Sequence, residues 1–123
     1  MDTRKLIEAY HLAWTSGDFA TARNCLADDL DCRGSMDTFT KADDFIAALT
    51  QFRQMVQSVE LLQYFYDKTG AALLYEIAIR PLPRGVIRTA EFFTVTGDRI
   101  SAIRLVFNAT STKAGDASLN VTR

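Results

Sequence analysis

Near residue 59 the spacing of apolar side chains changes from three-and-four to two, and this single change of period fixes the order in which the chain can build its layers. Before it, Leu6, Tyr10, Ala13 and Trp14 recur as one face of an amphipathic helix over about residues 2–15. Phe45, Leu49, Phe52 and Val56 form the same kind of face on a helix ending near 56. After the change, four β segments follow: Val59 to Asp67, Ala71 to Arg80, Val86 to Thr96 and Arg99 to Asn108. Lys68-Thr69-Gly70, Pro81 to Gly85 and Gly97-Asp98 join them, connections short enough for an antiparallel meander. Helices first and strands second predict an α+β fold, with helices packed on one face of a curved sheet.

Between the two long helices the signals are shorter. Gly17 suits the left-handed position that ends the first helix, and Asp18 caps a second helix predicted over 19–27 that buries Phe19, Ala22 and Leu26. Leu30-Asp31-Cys32-Arg33 reads as a brief strand. Gly34 to Thr38 reads as a loop, and Asp43 and Asp44 favour the start of the third helix through its dipole. The expected organisation is one domain over 1–109 and a polar tail or edge extension over 110–123.

Composition closes off several functions. The chain has 123 residues, 48% apolar and 24% charged, which suits one core. Its formal charge is −1 and no dense basic cluster is present, so nucleic acid is not an expected partner. The N-terminus lacks the apolar core of a signal peptide and no run has the length of a membrane span; a cytoplasmic protein with no membrane partner is the expectation. Cys25 and Cys32 stand seven apart without metal-ligand spacing and read as free, partly buried thiols. With His11 the lone histidine and no cofactor motif, neither a metal nor a cofactor is expected.

Glu91 is the residue that points to chemistry. It interrupts the apolar run Ile87-Arg88-Thr89-Ala90-Glu91-Phe92-Phe93-Thr94-Val95-Thr96, and in a strand it shares a face with Ile87, Thr89, Phe93 and Val95. A carboxyl on a buried face must find a donor, stay protonated or serve a reaction.

The succession of elements resembles the nuclear transport factor 2-like superfamily, in particular its SnoaL-like and ketosteroid isomerase-like members with a cystatin-like α+β fold. Tyr10, Gly17-Asp18 and Cys25-Leu26-Ala27-Asp28-Asp29 look like the family's opening. Phe92 to Ile100 and Ile103 to Phe107 look like its closing hairpin, and the likeness spans residues 5 to 108. The resemblance implies a cone-shaped antiparallel sheet against three N-terminal helices, a homodimer joined through the convex sheet face, and an apolar pocket on the concave one. Leu73, Tyr75, Ile77 and Ile79 then face inward, as do Ile87, Thr89, Glu91, Phe93 and Val95, and Ile103, Leu105 and Phe107. Glu76, Arg80, Arg88 and Arg104 take the outward parity, where cross-strand ion pairs are expected.

Set beside ketosteroid isomerase, the resemblance puts the oxyanion-binding tyrosine at Tyr10 and the protonated acid at Glu91. The general base falls on or next to Gly34, a departure that removes the group steroid-type chemistry needs. Asp37, on the same loop, replaces it only if the loop folds inward. Dehydratases of this fold use paired histidines, and this chain has one. Epoxide hydrolases use an Asp-Arg-Asp set, for which Arg88 has the wrong parity. A polyketide cyclase-like site, needing one acid over a flat apolar ligand, is the comparison that fits.

Three readings therefore stand. One is an isomerase, cyclase or hydrolase acting on a small hydrophobic molecule, with Glu91 as acid or base and Tyr10 as donor. The second holds such a molecule without turnover, and the third is a protein-interaction module with a vestigial pocket. Trp14, Tyr75, Ile77, Thr89, Phe93, Ile103, Leu105 and Phe107 are the expected ligand contacts. Trp14 also reads as a packing residue, and His11, about a hundred degrees round the helix from Tyr10, as a surface or interface residue.

Overall fold

In the computed structural model, which describes residues 2–35, 37–80 and 85–108, the first helix, α1 (Thr3–Ser16), starts on Asp2, whose carboxylate accepts from the Arg4 N–H. It ends on Gly17 in the left-handed region, φ 87°. That conformation lets the following Asp18 N–H reach back to the Ala13 carbonyl at 2.8 Å. Leu6, Ile7, Tyr10, Ala13 and Trp14 are all buried, so the face read from the sequence is the face that packs.

The second helix, α2 (Phe19–Asn24), is capped by Asp18 through the Thr21 N–H. It stops three residues short of the expected 27. Leu26 is buried, but as the first residue of β1 (Leu26–Arg33), which is twice the length of the strand expected at 30–33. A two-residue strand, β2 (Thr38–Phe39), lies where the sequence reading ended a loop. The third helix, α3 (Ala42–Arg53), carries Asp43 and Asp44 in its first turn and ends before Val56, which opens β3 (Val56–Tyr66). The remaining strands are β4 (Gly70–Ile79), β5 (Gly85–Thr96) and β6 (Arg99–Asn108), within one or two residues of the expected bounds.

These strands make one curved, unclosed α+β sheet of six, in the order β2-β1-β6-β5-β4-β3. The four long strands are an antiparallel meander, as their short connections require; Gly97, φ 65°, turns β5 into β6. β1 joins β6 in parallel, a pairing reached through the whole chain between them and invisible to local periodicity. The tail expected over 110–123 and the Pro81–Arg84 connection lie outside the described residues. Among the described residues no helix is long and apolar enough to cross a membrane.

Polar ties hold the helices over the concave face. Arg53 on α3 donates to the Thr15 carbonyl at the end of α1, 2.9 Å, and to the Val56 carbonyl, 3.3 Å. Arg23 on α2 bridges Asp43 of α3 at 2.6 Å and Asp28 of β1 at 2.7 Å. The alternation on β5 is complete from Arg88 on: Thr89, Glu91, Phe93 and Val95 are buried while Arg88, Phe92, Thr94 and Thr96 are exposed. Outside, Arg88 pairs with Glu76 directly across the β4–β5 ladder, and Arg104 with Asp31 at 3.1 Å. Arg80 donates to the Gln54 carbonyl, 3.0 Å. The outward ion pairs expected from parity are thus present, with Asp31 as a second carboxylate.

Candidate functional site

A cavity of about 220 Å3 lies between the concave face and the helices. α1 supplies Tyr10 and Trp14, and α3 supplies Phe45, Leu49 and Phe52. β4 and β5 supply Tyr75, Ile77, Ile87, Thr89 and Glu91, while Leu105 and Phe107 close the β6 side. Exposed Ser35 and Asp37 on the loop after β1 mark its mouth. Parity on the strands and the i, i+4 and i+7 spacing on α3 bring these side chains together.

Glu91 is 2% exposed and sits on the wall of this cavity. Its Oε1 accepts a hydrogen bond from the Tyr75 hydroxyl at 2.8 Å, the one hydrogen bond it receives among the described residues. Burial pushes its carboxyl up from the ordinary range to about 7, and the bond from Tyr75, which favours the charged form, only partly opposes this. The neighbouring carboxylate and burial both hold the Tyr75 phenol well above its usual range, burial being the larger cause. At neutral pH the pair is therefore an un-ionised phenol donating to an acid close to half ionised.

The expected partner of Glu91 was Tyr10, and here the structure differs. Tyr10 is buried and lines the cavity, but its ring packs edge-on against Phe93 at 5.8 Å between centroids and the bond to Glu91 comes from Tyr75. The reason is register: Leu73 stands opposite Glu91, so Tyr75, two residues along β4, lies diagonally across the same face within reach of a long side chain. Burial, followed by the nearby Glu91 charge, raises the Tyr10 phenol well above its ordinary value, so it too is present as the neutral donor.

The other expected positions divide. Trp14, Tyr75, Ile77, Thr89, Leu105 and Phe107 line the cavity. Phe93 and Ile103 face inward but are buried in the core away from it. Asp37 borders the mouth and is exposed, while its backbone carbonyl accepts from the Gly34 N–H at 2.7 Å. Gly34 also lines the cavity; a Cβ there would meet the Asp37 carbonyl at 3.6 Å and Leu105 at 3.8 Å, ordinary contact distances. Glycine at this position is thus not demanded by crowding.

His11 was expected at a surface or interface. Instead its ring sits edge-on between Trp14, 5.9 Å, and Tyr75, 5.2 Å, with Nδ1 buried and without a hydrogen-bond partner among the described residues. Burial lowers its pKa, so it stands neutral behind the tyrosine that holds Glu91. Cys25 and Cys32 are free and buried; Cys32 lines the cavity with its thiol pushed up to about 12, chiefly by burial, and is inert as a nucleophile at neutral pH. Sequence reasoning missed Cys32, Phe39, Phe45, Leu49 and Phe52 as wall residues. The α3 periodicity was visible, but it marks a packing face and a cavity wall alike.

The model of the SnoaL-like domain matches residues 7–103. A crystal structure of a protein from Kribbella flavida DSM 17836 is 30% identical, with a TM-score of 0.81 and 94% of each chain covered. An M. tuberculosis epoxide hydrolase of the LEH-like type is 21% identical, TM-score 0.73, over 88% of this chain and 84% of that one. A Catenulispora acidiphila protein with a ketosteroid isomerase-like fold, solved in complex with trimethylamine, is 14% identical, TM-score 0.73, over 91% of both. The last two show likeness of fold. No curated protein matches by sequence.

Proposed function

The chain belongs to the SnoaL-like domain family, and on that footing we propose that its cavity receives a small hydrophobic molecule with which Glu91 exchanges a proton. Tyr75 holds the carboxyl in place, and the neutral phenol of Tyr10, supplied by α1, is a second donor lining the cavity. One observation carries this reading: a carboxyl 2% exposed, with a pKa near 7, lines a cavity otherwise built mainly from hydrocarbon and aromatic rings. An acid poised near neutrality gives and takes protons with similar ease, which suits isomerase, cyclase or hydrolase steps. The epoxide hydrolase-like and ketosteroid isomerase-like neighbours are consistent with such chemistry on this fold. The reading needs no metal, cofactor, nucleic acid or membrane.

Binding without turnover is the second reading, favoured by Gly34. Where the resemblance expects a general base this chain has no side chain, and the next carboxylate, Asp37, is exposed at the mouth. Small ketones such as cyclohexanone, followed by NMR in heavy water, separate the two. Cavity resonances that shift together with α-proton exchange above the buffer rate, lost in Glu91→Gln, support proton transfer. Shifts without exchange leave binding alone, and no shifts in the cavity would refute both.

The outer face fits the homodimer that the resemblance implies. Phe65, Phe92 and Val106, which take the outward parity on β3, β5 and β6, are large, apolar and 48% to 65% exposed. Sedimentation should give twice the chain mass, and Phe65→Glu should shift it towards the monomer; a monomer at high concentration contradicts this part of the reading.

A further inference from the structure

The charge pattern of the cavity goes a step beyond the proposed function, on which it rests. Its described lining contains two carboxylates, Glu91 inside and Asp37 at the mouth, and no lysine, arginine or histidine. The nearby arginines are engaged elsewhere: Arg88 on Glu76, Arg104 on Asp31, Arg53 on backbone carbonyls. An anionic ligand would therefore meet a carboxylate in a low-dielectric cavity with no compensating cation among the described residues.

A neutral ligand gains one hydrogen bond and hydrocarbon burial. A cation gains more. Tyr75 occupies Oε1 of Glu91, while Oε2 accepts no hydrogen bond among the described residues, leaving an acceptor for an N–H donor. Trp14, Phe45, Phe52 and Tyr75 all line the cavity, and aromatic rings attract cations. The usual objection to a buried ion pair is that two charges must be desolvated. Here the carboxyl is already buried by folding, so binding desolvates only the ligand's charge, and pairing relieves the penalty that Glu91 carries when empty-handed.

We propose that the occupant is a small apolar amine bound as its ammonium ion, nitrogen on Glu91 and hydrocarbon against the rings. At protein packing density, a cavity of about 220 Å3 holds on the order of ten non-hydrogen atoms. The assignment also selects the working state of the site. Paired with an ammonium ion, Glu91 is a carboxylate, and any reaction it assists uses it as a base.

Calorimetric titration of the whole protein with benzylamine and 2-phenylethylamine, and with the alcohols and carboxylates of the same two skeletons, tests this. At pH 7.5 the amines should bind roughly tenfold or more tighter than the alcohols, and the carboxylates not measurably. Glu91→Gln should erase the preference. Independently of any variant, amine affinity should rise about tenfold per pH unit from 5 to 6 and flatten above Glu91's value near 7. Alcohols binding as well as amines would overturn the amine assignment while leaving the apolar ligand site intact. Tighter carboxylates would overturn it as well, and binding by none of the six at millimolar concentration would sink both.

Discussion

Two glutamates on the same pair of strands live under opposite rules. Glu76 on β4 faces outward and stands directly across from Arg88, whose guanidinium reaches it while water reaches both. Glu91 on β5 faces inward, where its only described hydrogen bond comes from the Tyr75 phenol and burial carries its carboxyl to about 7. One pair is opposite and charged, the other diagonal and able to share a proton. Since side chains alternate along each strand, one step in parity separates a solvated ion pair from a proton-exchanging site.

The contrast is broken most severely by removing volume. Tyr75→Ala, at a residue 3% exposed, should cost on the order of 3 kcal/mol or more in urea unfolding. Glu76→Ala, on the same strand but paired in solvent, should cost less than about 1 kcal/mol, and the loss should shrink with salt. Comparable losses at the two positions would mean that the faces do not differ as described.

Protonation sharpens it next. Glu91 holds its proton more tightly folded, near 7, than unfolded, near 4.5. The folded state therefore binds more protons between those values, and the contribution is fully present below pH 4.5 and lost as pH rises through 7. Glu91→Gln removes that loss: at pH 8 the variant should gain roughly 1 to 3 kcal/mol, and at pH 5 it should gain little. Denaturant melts at the two pH values check this. A destabilised variant at both would mark the carboxyl as a structural hydrogen-bond partner.

Smaller still is Tyr75→Phe, which deletes the donor and should lift the Glu91 midpoint by roughly one pH unit, because the lost bond favoured the charged form. Least of all, Gly34→Ala places a Cβ in ordinary contact at a glycine without positive φ. Its unfolding free energy in urea should stay level or rise, by at most about 1 kcal/mol. A clear loss would show that the loop after β1 needs a glycine.

Where a residue's face depended only on parity or helical spacing, the sequence was enough. Thr89, Glu91, Leu105 and Phe107 reach the cavity and Glu76, Arg88 and Arg104 stand outside it, as alternation required. What depended on register or on distant pairing was hidden. Tyr75 rather than Tyr10 meets Glu91 because of a two-residue offset between β4 and β5, which no single strand records. Ala27-Asp28-Asp29 lacks strand character, and it lies where the β1–β6 register shifts, between the pairs Leu26–Ile100 and Asp31–Ala102, so the strand on either side of it is what pairs with β6. His11 next to Tyr10 read as a surface residue, whereas the way α1 lies on β4 tucks it against Tyr75. Phe45, Leu49 and Phe52 showed a buried face without showing that the space beneath them is partly empty.

Titration of the Glu91 side-chain carboxyl by carbon-13 NMR in the ligand-free protein tests the central claim directly. A midpoint near 7 is the expected result. A midpoint at or below the ordinary glutamate value of about 4.3 would make Glu91 a permanently ionised structural carboxylate and would contradict the account.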